Sequence, residues 1–192
     1  VCIEENTNLL IEAARKGDTP EVQRLIPLSD PTCNDSQALV CVASGGHTQC
    51  VRLLIPVSVL KSPALNLAAG KGYTQCVKLL LPAYDLKAKS SALFWATANG
   101  HTDCVKLLIL ASDPKVDNSF ALQKAVANAH QSCIDLLYSV SDPHAALHQL
   151  QQDYPDDVSI WGELEQRIAH EQNQKLVGEI GETVRAKIDR KM

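Results

Sequence analysis

The sequence predicts an all-α solenoid of about five short helix–turn–helix repeats closed by a C-terminal helical cap. Three observations carry that prediction. One phrase recurs around Leu10, Leu39, Leu65, Leu93 and Leu122, at intervals of 29, 26, 28 and 29 residues, and a fixed period of this size means stacked units. Each unit holds two runs whose apolar residues fall at spacings of three and four, the mark of one buried helix face. Hydrophobic residues make up 45% of the chain but aromatic ones only 4%, which suits a core of Leu, Val and Ala in layers.

The elements follow in order from the repeat frame. Three residues before each marked Leu stands a hydroxyl: Thr7, Ser36, Ser62, Ser90 and Ser119. There it is expected to cap the first helix by accepting a first-turn amide. Three residues after the mark come Ala13, Val42, Ala68, Ala96 and Ala125, small enough for a neighbouring helix to approach. Gly17, Gly46, Gly72 and Gly100, with Ala129 as the exception, are expected to stop that helix in the left-handed region. Thr19, Thr48, Thr74 and Thr102, with Gln131 as the odd member, are then expected to cap the second helix. Pro20 is pre-shaped for its first turn. Val51, Leu54 and Ile55 form its buried stripe, repeated as Val77, Leu80, Leu81 and Val105, Leu108, Ile109. The connectors Ser29-Asp30-Pro31, Ser112-Asp113-Pro114 and Ser141-Asp142-Pro143, and the prolines 27, 56 and 82, are stop signals.

The repeats are placed at about 6–32, 36–58, 62–84, 90–114 and 119–143, so that residues 1–143 form one stack. In the first repeat Arg24 replaces Leu53, Leu79 and Leu107, and Glu21 replaces a Cys. A solenoid needs such a wetted end repeat. After Pro143 the register fails. Residues 144–152 read as one more first helix, and 153–157 as a break. Two amphipathic helices are expected next, on Ile160, Leu164, Ile168 and on Ile180, Val184, Ile188, the last ending in Arg185, Lys187, Arg190 and Lys191. Basic residues suit a helix C-terminus. Residues 144–192 are thus read as a cap, or an extension serving as a docking or export element.

The runs from Ala92 to Ile109 and from Leu65 to Leu80 resemble the ankyrin repeat, and the likeness spans about residues 6–143. The family's Thr-Pro-Leu-His start is replaced here by Ser-x-Ala-Leu, and the units are shorter than the family's roughly 33 residues. The resemblance therefore implies reduced turns where ankyrin repeats carry β-hairpin fingers. It implies that His47, His101 and His130, with Tyr73 and Asp18 as substitutes, support the turns by hydrogen bonding. The wording from Gly46 to Pro56, with the Ser-Asp-Pro connectors, is similar to ankyrin proteins that intracellular bacteria inject into host cells.

Several function classes are set aside on chemistry. A net charge of −4 and a pI near 5.8 argue against nucleic acid or an anionic membrane as partner. No apolar run approaches the ~20 residues of a membrane span, and no secretory signal peptide opens the sequence. The chain begins with Val, so the natural N-terminus is expected upstream. Of the seven cysteines, Cys50, Cys76, Cys104 and Cys133 share one repeat position, while Cys2, Cys33 and Cys41 share none. Equivalent positions on stacked helices lie ~8–10 Å apart, too far for a disulfide, which needs ~7 Å, or for a zinc site with ligands at ~2.3 Å. An odd count without CxxC favours a reducing compartment, here the cytoplasm, and free cysteines act as small core residues. His101 and Cys104 have nucleophile–base spacing, but the pair recurs in three repeats without an orienting carboxylate. There is no P-loop, GxGxxG or HExxH. No enzyme activity, cofactor or metal is expected.

What remains is surface. In a concave stack of this family the first helices line the inner face. The positions one, five and six after each mark read Ile11, Arg15, Lys16; Val40, Ser44, Gly45; Asn66, Gly70, Lys71; Phe94, Ala98, Asn99; Gln123, Ala127, Asn128. From these the candidate partner-binding residues are Arg15, Lys16, Asn66, Lys71, Phe94, Asn99, Gln123 and Asn128, together with Trp95. Phe94 is expected to be an exposed anchor, and Trp95, at the position of Cys41 and Leu67, to fill core unless it joins Phe94. The expected function is a non-catalytic protein-binding module, acting as a monomer. In the effector reading it is secreted and binds a host protein. The alternative is a regulatory or targeting subunit in the producing cell, or the targeting portion of a longer enzyme.

Overall fold

The computed structural model describes residues 3–59 and 63–189. The expected cap Ser62, the unpatterned Cys2 and the basic residues Arg190 and Lys191 lie outside the described residues, as do the side chains of Val184, Lys187 and Ile188. Five helix pairs follow one another: α1 (Ile3–Lys16) and α2 (Thr19–Leu25), α3 (Cys33–Gly45) and α4 (Thr48–Leu54), α5 (Ala64–Gly70) and α6 (Thr74–Leu80), α7 (Leu86–Ala98) and α8 (Thr102–Ile109), α9 (Val116–Ala127) and α10 (Gln131–Tyr138). Then come α11 (Pro143–Asp153) and α12 (Val158–Asp189). The first helices stack α1 to α3 to α5 to α7 to α9 to α11, and the second helices from α2 to α10 form the other layer. No strand occurs among the described residues. Short connectors stand where ankyrin fingers project, as the shortened period implies.

The core is the ladder the period predicts. Leu10, Leu39, Leu65, Leu93 and Leu122 are at most 1% exposed, and so are Leu25, Leu54, Leu80, Leu108 and Leu137 of the second helices. Burying each such side chain contributes roughly 1.5–3 kcal/mol. Gly17, Gly46, Gly72 and Gly100 adopt φ of 71° to 76°. That turn lets the next amide reach back five residues, as His101 N does to Ala96 O at 2.9 Å, a Schellman closure. Ala129 takes the same left-handed region at φ 54°, against the steric preference of an L-residue.

Four expected caps have another role. Thr7 and Ser90 lie inside α1 and α7, and Ser36 and Ser119 take left-handed backbone within α3 and α9. Their hydroxyls do not serve their own helices' first-turn amides. Thr7 Oγ1 accepts from Asp30 N at 2.9 Å, Ser36 Oγ from Val59 N at 2.7 Å, Ser90 Oγ from Asp113 N at 3.3 Å and Ser119 Oγ from Asp142 N at 2.7 Å. Each hydroxyl thus latches the connector 23 residues further on. The periodic signal was real, but it recorded a contact in space rather than a helix start. Thr19, Thr48, Thr74 and Thr102 are likewise the first residues of α2, α4, α6 and α8, and the caps fall one residue earlier, on Asp18, His47, Tyr73 and His101.

At the ends the stack is closed by polar and apolar means. Arg24 pairs with Glu21 through bonds of 2.8 and 2.6 Å on the outer face of α2. At the other end α11 packs on α9 and α12 packs on both. Leu150, Leu164 and Ile168 are at most 6% exposed there. Arg167 of α12 bonds Asp135 at 2.6 Å and lies over the Tyr138 ring at 4.2 Å. The two helices expected after the break are one, because nothing between Ile168 and Ile180 interrupts the backbone of α12.

A candidate partner-binding groove on α7 and α9

Asp85 caps α7, its Oδ1 accepting from Ala88 N at 2.8 Å. From that start α7 carries Leu86, Lys87, Ser90, Ser91, Leu93 and Phe94 along one wall of a groove of about 650 Å³. Phe120 and Ala121 of α9 form the other wall, and Asp113 and Pro114 of the connector close one end. Phe94 stacks on Phe120 with ring centres 4.8 Å apart and planes 3° from parallel. Trp95 meets Phe94 edge-on at 5.3 Å. Lys124 Nζ stands 5.4 Å from the Phe120 ring centre. Offset and edge-on aromatic pairs favour such spacings.

The expectation for Trp95 fails and that for Phe94 is met in part. Trp95 is 46% exposed and does not fill core, whereas Phe94 is half-buried against Phe120. Phe120, 38% exposed, was not among the sequence candidates. Its signal was legible: it is the chain's only other Phe. It stands two residues before its marked Leu while Phe94 stands one after, and a three-residue offset brings side chains to the same face of a helix.

The polar candidates divide. Asn66 Nδ2 donates to Ser91 Oγ at 3.1 Å, tying α5 to the groove wall, while its buried Oδ1 has no partner among the described residues. Asn99 Nδ2 donates to Trp95 O at 2.9 Å and holds the end of α7. Lys71 Nζ donates to Ser44 O at 2.9 Å, and Asn128 Nδ2 to Ala98 O at 2.7 Å. Those two bonds knit successive repeats. Gln123 is 3% exposed and holds an interaction within the chain. It therefore cannot meet a partner, because its helix turns it into the stack. Arg15 is exposed beside Glu12 at 3.4 Å, and Lys16 is exposed at the end of α1, both in the first repeat, away from the groove.

The residues that look reactive are structural rungs. His101 Nε2 lies 3.0 Å from Gly70 O, His130 Nε2 3.1 Å from Ala98 O and His47 Nε2 3.3 Å from Arg15 O. A carbonyl only accepts, so Nε2 carries the hydrogen in each ring. These bonds run between repeats, which extends the turn-supporting role. Cys50, Cys76, Cys104 and Cys133 are at most 1% exposed. Their sulfurs contact the hydroxyls of Thr19, Thr48, Thr74 and Thr102, one repeat earlier, at 3.3 to 3.9 Å. Burial pushes the thiols of Cys76, Cys104 and Cys133 up from their ordinary value, against the opposing effect of the threonine bonds. That disfavours the thiolate needed for nucleophilic chemistry. Among the described residues no group of three or more His, Cys, Asp or Glu side chains is placed to hold a metal ion.

A two-layer stack of helix pairs with an apolar groove along it defines a helical-repeat scaffold. A family model described as ankyrin repeats (three copies) matches residues 10–90 and 65–146. The chain belongs to the ankyrin-repeat family, and such repeats indicate a protein–protein interaction module. A comparison with curated proteins gives no match. Among the described residues no helix is long and apolar enough to cross a membrane.

Proposed function

We propose that this chain is a non-catalytic binding module that takes its protein partner at the groove between α7 and α9. The observation that carries the reading is the Phe94–Phe120 stack, half-open to solvent on the wall of a largely apolar groove. Aromatic side chains already packed by their own scaffold lose little entropy on docking, and such residues dominate interface energetics. Lys87 and Lys124 add charge at the rim. The partner is a host protein, and the chain is a secreted bacterial effector; the repeat wording around Gly46 to Pro56 supports this finer reading. A reducing compartment fits the free, buried cysteine ladder.

An affinity pulldown comparing wild type with Phe94→Ala and Phe120→Ala tests the groove. Each variant is expected to weaken capture by more than ~1 kcal/mol, about fivefold or more, with the helical circular dichroism signal retained. Equal capture by all three proteins would refute the assignment. A translocation reporter tests the effector reading separately. If the fusion stays in the producing cell, the regulatory or targeting subunit takes its place.

A further inference from the structure

The chain's six histidines fall into two groups. His47, His101 and His130 are tied to carbonyls of the preceding repeat, and His170 shares a 2.8 Å bond with Gln174. His144 and His148 have no hydrogen-bond or ion-pair partner among the described residues. Both are exposed on α11, which opens at Pro143 behind the Asp142 cap. Four residues at 3.6 per turn set the two side chains about 40° apart, one above the other. Ala146 and Leu150, the buried residues of α11, each follow one of them by two positions, about 200° round the helix. The pair therefore projects away from the stack, and Gln152 is exposed one turn further along the same stripe.

We propose that His144 and His148 chelate a divalent cation of the imidazole-preferring class, that is nickel, copper or zinc. Cβ atoms at this spacing stand roughly 5–6 Å apart, so the two rings can lean together onto one ion at about 2.1 Å. Imidazole suits these metals, whereas magnesium and calcium take oxygen ligands. Charge favours a cation here. Between Lys124 and Arg167 the sequence has seven acidic residues (Asp135, Asp142, Asp153, Asp156, Asp157, Glu163 and Glu165) and no Lys or Arg. The two flanking cations are turned elsewhere, Lys124 over the Phe120 ring and Arg167 onto Asp135. Binding an ion at the pair breaks no bond of the stack, because neither ring holds one. Two protein ligands fall short of the three in a catalytic zinc site. The ion is therefore held exchangeably, with its open positions facing solvent.

The test is isothermal titration of nickel chloride into the protein without a histidine tag, which would itself take up the ion. One ion per chain is expected to bind, and magnesium chloride is expected to give no binding. His144→Ala and His148→Ala are each expected to weaken nickel binding at least about tenfold, because a single imidazole loses the second, intramolecular contact. Both sites are exposed, so without metal each variant should melt within about 2 °C of wild type. His170→Ala is expected to bind as wild type does. His144→Gln with Gln152→His rebuilds the four-residue spacing one turn along the stripe and is expected to restore binding. No binding by wild type at about 1 mM nickel overturns the proposal. So does an affinity unchanged in either alanine variant, or one lost in His170→Ala. Failure of the relocated pair overturns the argument from spacing.

Discussion

Replacing Ser119 with alanine separates a latch from a cap. Ser119 is fully buried, and its hydroxyl accepts from the amide of Asp142 at 2.7 Å. Asp142 in turn caps α11 by accepting from Ala145 N at 3.0 Å. Ser119→Ala removes one acceptor and leaves a partly buried amide without its partner, a loss of about 1–3 kcal/mol. For a chain of this size each kcal/mol lowers the melting temperature by about 2–4 °C. The site of the loss says more than its size. Amide hydrogen exchange is expected to speed up at Asp142 and across the first turn of α11, 23 residues from the substitution. The amides that follow Ser119 in α9 should keep their protection, because α9 has no side-chain cap there to lose. Fast exchange at residues 120–122 with Asp142 unchanged would refute the latch and restore the cap.

Other outcomes follow from the same geometry. Ala129→Gly relieves a left-handed backbone at φ 54° and is expected to stabilise by up to about 1 kcal/mol in chemical denaturation. Gly100→Ala places a Cβ 2.9 Å from His130 Nδ1 at φ +73° and is expected to destabilise by about 1–2 kcal/mol or more. Equal and small effects at the two sites would count against the turn argument. In brief iodoacetamide labelling at neutral pH, the part-exposed Cys33 is expected to react before Cys76, Cys104 and Cys133, whose thiols burial holds protonated. Rapid reaction at one of those three would reopen the case for catalysis. Burial, and then its bond to Glu171, pushes the Tyr138 phenol up to about 12. A raised folded pKa favours the protonated phenol, so this contribution is complete below about 10, the unfolded value, and lost as pH rises through about 12. Spectrophotometric titration should show one late phenolate that disappears in Tyr138→Phe; its absence from wild type would contradict the packing of α12.

How much of this was legible follows from the range of each interaction. Period, helix pairing and the leucine ladder stand in the sequence because packing against an identical neighbour imposes the same letter at the same place. The left-handed glycines were legible for a local reason, since backbone sterics act within one residue. The threonines of the second helices were misread by a single residue, as helix boundaries often are.

What the sequence alone determined is therefore the repeating unit, and with it the absence of room for fingers in a shortened period. Only the tertiary structure decided which residues meet between units. It turned Ser36 and Ser119 from caps into latches, because the amides of Val59 and Asp142 arrive from 23 residues away. It brought Phe120 to Phe94 and opened Trp95 to solvent. It buried Gln123 and joined two expected helices into α12. The physical reason is common to all four. Local sequence fixes the torsions and the face of a helix, but partners across a stack depend on how far each helix is shifted against the next, and that shift is set by packing of the whole.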